Sequence, residues 1–168
     1  VVAVNPRTLD EVFRAIQVIG DACGANAAAR RTVDGLKARV AAVESKTAVM
    51  PADSRPRVFV EIWNDPLMTA GAGTFVDDLV KRAGGRNIVG HIDGWPQISP
   101  ETVISAHTDV VILTCFNRAE VMARHEWRKV PAIVQGRVFE VHPDLMVRPG
   151  PRLVDGLETL AGLFAGAQ

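Results

Sequence analysis

Tyrosine is missing from this 168-residue chain, and cysteine occurs only twice. Without a phenolate, the tyrosine ligation used by some haem and iron sites has no donor. Cys23 and Cys115 lie far apart, match no metal or redox spacing, and read as small buried hydrophobes. The histidines His91, His107, His125 and His142 include no pair four apart on a helix, which argues against a metal site. An excess of either charge is also lacking: 19 basic residues balance 19 acidic ones. No basic run interleaves with aromatics, so nucleic acid is not an expected partner. No apolar run approaches the roughly 18 residues of a membrane span. Val1–Pro6 lacks the basic start of a secretory signal, so no signal sequence is expected within this chain. No loop holds a nucleophile–base pair or a spaced carboxylate pair, so no enzyme is expected and no cofactor. Gly71-Ala72-Gly73 is a bare Gly-x-Gly, read as easing a tight turn.

What is present is an ordinary globular composition, 48% hydrophobic and 23% charged, long enough for one domain with a real core. Val1–Val4 reads as the end of a strand. Thr8-Leu9-Asp10-Glu11 is a capping box that opens a helix with Val12, Ile16 and Ile19 on its apolar face. Gly20 and Gly24 interrupt it. A second helix of about 33 Å runs from about Ala25 to Lys46, with Val33, Leu36, Val40 and Val43 inward. Arg30, Arg31, Asp34, Lys37, Arg39 and Glu44 form its solvated face.

From Arg57 onward, strands and helices alternate. Strands are expected at 58–63, 87–89, 109–113 and 138–141, and helices at 74–83, 100–106, 117–127 and 152–164. This order specifies an α/β fold with a mainly parallel central sheet, whose ligands sit beyond the carboxyl ends of the strands. Those ends fall at Asn64–Gly73, Thr114–Arg118 and Pro143–Arg148, with the Trp95 loop a candidate for the same edge. In Gly94-Trp95-Pro96-Gln97-Ile98-Ser99-Pro100-Glu101 the prolines stiffen the loop, Ser99 reads as an N-cap, and Glu101 lies in the first helical turn. The run suits a binding surface. It also suits a core tryptophan beside a carboxylate that serves the helix dipole.

Four blocks carry a resemblance. They are Asn5-Pro6-Arg7-Thr8-Leu9, Trp63-Asn64-Asp65-Pro66-Leu67-Met68-Thr69-Ala70-Gly71, Trp95 to Glu101, and Arg148-Pro149-Gly150-Pro151-Arg152-Leu153-Val154-Asp155-Gly156-Leu157. In this order they resemble the substrate-binding proteins of ABC importers for cobalamin, ferric siderophores and haem, above all the cobalamin branch. The resemblance implies a long backbone helix followed by one Rossmann-like α/β lobe. Residues 1–50 correspond to the end of an N-lobe strand and the inter-lobe helix, and residues 57–168 to the C-terminal lobe. An N-terminal lobe of about 100 residues would lie outside this chain.

By the same resemblance, Trp95 lies against a corrinoid, with Met68, Thr69, Ala70 and Asp144 facing the ligand and Cys115 and Phe116 on the same cleft. Glu101 corresponds to the carboxylate that docks on the membrane permease. Arg118 and Arg148 are the basic residues available to an anionic chelate. Arg148 and Arg152 otherwise cap or solvate the last helix. The implied protein is extracytoplasmic, periplasmic or tethered to the cell surface. The alternatives are a ferric siderophore or haem binder, and an interaction or sensory half-lobe that self-associates through its exposed helix.

Overall fold

A computed structural model describes residues 2–115 and 117–166. Thr8 accepts from the Glu11 N–H and starts α1 (Leu9–Ala22). The Glu11 carboxylate reaches back to the Arg7 N–H at 2.7 Å, one residue earlier than in a standard capping box. After three connecting residues α2 (Asn26–Thr47) begins and returns against α1 as a helical hairpin. The four predicted inward residues of α2 are all buried. Its solvated face is not solvated throughout. Arg39 bridges to Asp155 and Glu158, and Glu44 accepts from Arg82, so both stitch α2 to its neighbours. The apolar face of α1 buries Val12, but Ile19 stays exposed. Val2–Val4 is not a strand: no strand among the described residues pairs with it, and it stays exposed.

The sheet contains β1 (Arg57–Glu61), β2 (Arg86–Asn87), β3 (Val110–Leu113) and β4 (Val138–Glu140), all parallel, in the order β2-β1-β3-β4. The helices between and after them are α3 (Phe75–Arg82), α4 (Pro100–Ser105), α5 (Arg118–Met122), α6 (Pro131–Val134) and α7 (Leu153–Ala165). Alternation along the strands sorts the core into two layers. Val58, Val60, Val110 and Ile112 join α1, α2, α3 and α7 on one face. Phe59, Val111 and Leu113 join α4, α5 and α6 on the other. The helical hairpin therefore shares a core with the sheet.

The expected helix over 117–127 is broken. Helix α5 stops at Met122, Arg124 takes an extended backbone, and a 3₁₀ turn covers His125–Trp127. The break lets the Arg124 guanidinium turn toward the buried end of β1. It also seats Trp127 edge-on against Phe59, with ring centroids 5.8 Å apart. Both cysteines are exposed, contrary to expectation, because Cys23 follows the end of α1 and Cys115 the end of β3.

Candidate functional site

The strand order reverses between β1 and β3, and a parallel sheet opens a ligand crevice at the carboxyl ends beside such a switch point. Two stretches build that edge. The chain after β1 folds back through Trp63↔Met68 pairing, with the Asp65–Pro66 peptide cis. It then runs beside the Trp95 loop. The Thr69 N–H donates to the Pro96 carbonyl at 3.1 Å, Gly71 to Gly94 at 2.8 Å, and Ile98 to Leu67 at 2.9 Å. The two loops thus form a small ladder that extends the edge of the sheet.

Glycine is required at two places in it. A Cβ on Gly71 would overlap the Ile92 carbonyl, and Gly73 sits at φ +68°, where side chains are strained. The Gly-x-Gly run therefore serves close loop approach and a turn.

On this platform Trp95 is 43% exposed and rests its ring against buried Phe75, with centroids 5.8 Å apart at 67°. Trp63, 53% exposed, lies on the same ladder and donates its indole N–H to the Asp65 carbonyl. Trp63 belongs to the edge although it was not among the expected contacts. Its signal was present in the aromatic at the end of a strand.

Met68 is half-buried between the loops. Thr69 and Ala70 have no exposure. The Thr69 hydroxyl donates to the Val60 carbonyl at 2.7 Å, and the Ala70 carbonyl accepts from Asn87. These two residues shape the platform from beneath and present no surface to a ligand. Cys115 is exposed at the end of β3, beside the Thr114 hydroxyl. Phe116 lies outside the described residues.

Asp144 follows β4, on the side of the sheet away from β2. Its carboxylate gathers Arg148 at 2.9 Å and Arg152 at 3.2 Å. Arg118 is spent on the Val138 and Gly136 carbonyls. Glu101 is exposed on the first turn of α4, where the Trp95 loop ends. Ser99 is not a side-chain N-cap. Its hydroxyl, together with the Glu101 N–H, holds the Glu101 carboxyl below the usual carboxylate range.

Sequence reasoning missed the most buried charge at this edge. Glu61, the last residue of β1, is fully buried. Both of its oxygens accept from Arg124 at 2.6 Å. Arg124 also donates to Asn64 at 2.7 Å and stacks 4.5 Å above the Trp127 ring centroid. This knot ties the segment that carries Trp63 to the end of α5.

Comparison with known proteins agrees with this architecture. A family model described as periplasmic binding protein matches residues 1–145. The chain is 30% identical over 164 residues to an uncharacterized ABC transporter substrate-binding lipoprotein, YvrC, of Bacillus subtilis, covering 96% of this chain and 52% of that one. It is 32% identical over 168 residues to a cobalamin-binding protein of Halobacterium salinarum, covering 94% and 44%. A possible iron-binding periplasmic solute-binding protein from Staphylococcus epidermidis superposes with a TM-score of 0.84 at 25% identity, over 95% of this chain and 63% of that one. The chain spans about half the length of the curated relatives it matches. With its parallel sheet covered on both faces and its edge of paired loops, the chain belongs to the periplasmic binding protein family.

Proposed function

We propose that this chain supplies one wall of the ligand cleft of an ABC-importer substrate-binding protein, and that the ligand is a cobalamin-type corrinoid. The protein works outside the cytoplasm and breaks no bond: it captures the ligand and delivers it to a membrane permease. The observation that carries this reading is the pair of half-exposed tryptophans, Trp63 and Trp95, on one loop ladder at the switch point. Large aromatic faces on a stiff platform suit a broad, nearly neutral ring system, where affinity comes from area and shape. The cobalamin-binding relative from Halobacterium supports the same choice. Glu101, charged and exposed beside the platform, suits a rim contact that orients docking on the permease.

One observation favours an iron chelate instead: Arg148 and Arg152, gathered by Asp144, would suit an anionic ligand such as a siderophore or haem. A self-associating half-lobe would rest on Val18 and Ile19, 43% and 48% exposed on α1, and a monomer in sedimentation counts against it.

Calorimetric titration with cyanocobalamin, haemin and a ferric siderophore separates the ligand readings, using this chain and a two-lobed parent that contains it. Saturable heat with cyanocobalamin, weakened by Trp95→Ala, is the expected result. Silence toward cyanocobalamin in the two-lobed parent overturns the corrinoid reading.

A further inference from the structure

The opposite, amino edge of the sheet carries charge of a different kind. The residues that open or precede three of its strands are arginines: Arg57 at β1, Arg86 at β2 and Arg137 before β4. Arg57 and Arg86 are in-register neighbours. Arg55 joins them from the connector before β1. Two adjoining depressions, of about 760 and 380 Å³, share Asp53, Arg55, Arg57 and Arg86 along their walls.

The ion pairs there do not balance. Arg57 is spent on Asp109 through two contacts of 2.8 Å. Among the described residues Arg55 and Arg86 have no side-chain ion pair or hydrogen bond, Arg137 only feels the Asp109 carboxylate that Arg57 already holds, and the Arg55 Nε is shielded from solvent without an acceptor. Asp53 is the one unpaired carboxylate on these walls. Net charge is zero over the whole chain, so composition does not impose this clustering. Like charges brought together over a concave surface repel, and a bound anion relieves that cost. A buried donor with no acceptor calls for the same partner.

We propose that this groove is a second ligand site, for a small molecule bearing phosphate. Four guanidiniums, of Arg55, Arg57, Arg86 and Arg137, face two carboxylates, Asp53 and Asp109, and that excess asks for more than one negative charge. A phosphate group carries about −1.5 to −2 at neutral pH, and its oxygens match the guanidinium fork. Ala52, Ile88 and Ala106 on the larger depression provide an apolar strip for an organic substituent. The site lies at the end of the sheet away from the tryptophan platform, so it does not depend on the transport reading.

Calorimetry at fixed ionic strength with inorganic phosphate, pyrophosphate and phenyl phosphate tests it, alongside the NMR signal of the Arg55 Nε–H. Saturable binding at one site per chain is expected, with a shift of that signal. The double variant Arg86→Gln/Arg137→Gln should weaken binding at least tenfold, while Arg31→Gln on the exposed face of α2 and Trp95→Ala should not alter it. Phenyl phosphate binding more tightly than inorganic phosphate assigns the site to a phosphate ester; the reverse assigns it to free phosphate or pyrophosphate. Should the double variant fail to fold, Arg86→Lys serves. It keeps the charge but loses the fork, and should bind several-fold more weakly. No saturable binding to any of the three probes overturns the proposal. So does binding that these substitutions leave unchanged.

Discussion

Removing the Arg124 side chain should be among the most damaging single changes in this protein. Arg124→Ala leaves the Glu61 carboxylate fully buried with both oxygens stripped of their charged donors. Breaking a buried pair in this way costs about 3–5 kcal/mol. Loss of the guanidinium over Trp127 adds roughly 0.5–1 kcal/mol. With a urea m-value of about 2 kcal/mol per molar, the denaturation midpoint should fall by roughly 2–3 M. Urea titration followed by tryptophan fluorescence reads this directly, because the knot anchors the segment bearing Trp63 and packs on Trp127. A double substitution Glu61→Leu/Arg124→Met removes both charges at similar volume, and should recover more than half of the loss. A midpoint shift below about 0.5 M for Arg124→Ala, near 1 kcal/mol by the same m-value, refutes the argument that the pair holds this edge. A double variant as unstable as the single one shows that packing on Trp127 carries the cost, and the unpaired carboxylate does not.

Trp95→Ala gives up an edge-on contact with Phe75 worth about 1 kcal/mol. The fold should survive in circular dichroism, while corrinoid affinity drops at least tenfold by calorimetry; unfolding would make the residue core. Glu101→Ala should leave stability and ligand affinity unchanged and reduce uptake in vesicles containing the permease, so a loss of affinity contradicts the docking role. Gly71→Ala must separate the two loops, since the new Cβ meets the Ile92 carbonyl. A cost of about 1–3 kcal/mol with altered tryptophan emission is expected, and an unchanged midpoint would refute the close approach. Asp109 gives the acid limb. Burial pushes its carboxyl up, but the Arg57 guanidinium and N–H, with Arg137 nearby, hold it below the usual value. A carboxylate lowered on folding contributes stability at pH values above its unfolded value, near 4, and that contribution is lost as pH falls through the folded value. Urea midpoints measured between pH 7 and 2.5 should therefore fall less steeply on the acid side in Asp109→Asn than in the parent. Parallel profiles would show that the pair is energetically silent.

Some of this was written locally and some was not. Helix α2, β1 and β3 follow from short-range pattern: residues at helical spacing bury one stripe, and four-residue apolar runs belong to strands covered on both faces. The Glu61–Arg124 knot had no such pattern, because its partners are 63 residues apart and a lone Glu at a strand end reads as solvated. Its cost to prediction was the end of α5: helical pattern alone carries Asn117–Trp127 through, while the distant carboxylate gives Arg124 a partner outside the helix. Thr69 and Ala70 failed in a different way. A motif places residues in a loop but does not tell which side chains the loop turns inward, and here that is decided by pairing with residues 92–98. Across that partner stretch, exposure alternates with period two from His91 to Ser99, odd positions outward. This is strand behaviour in a sequence whose Gly94, Pro96 and Pro100 argue against a strand. The alternation puts Trp95 on the same outward side as Asp93 and Gln97. The sequence could supply the aromatic, but only a neighbouring loop held close by Gly71 could decide which way it faces.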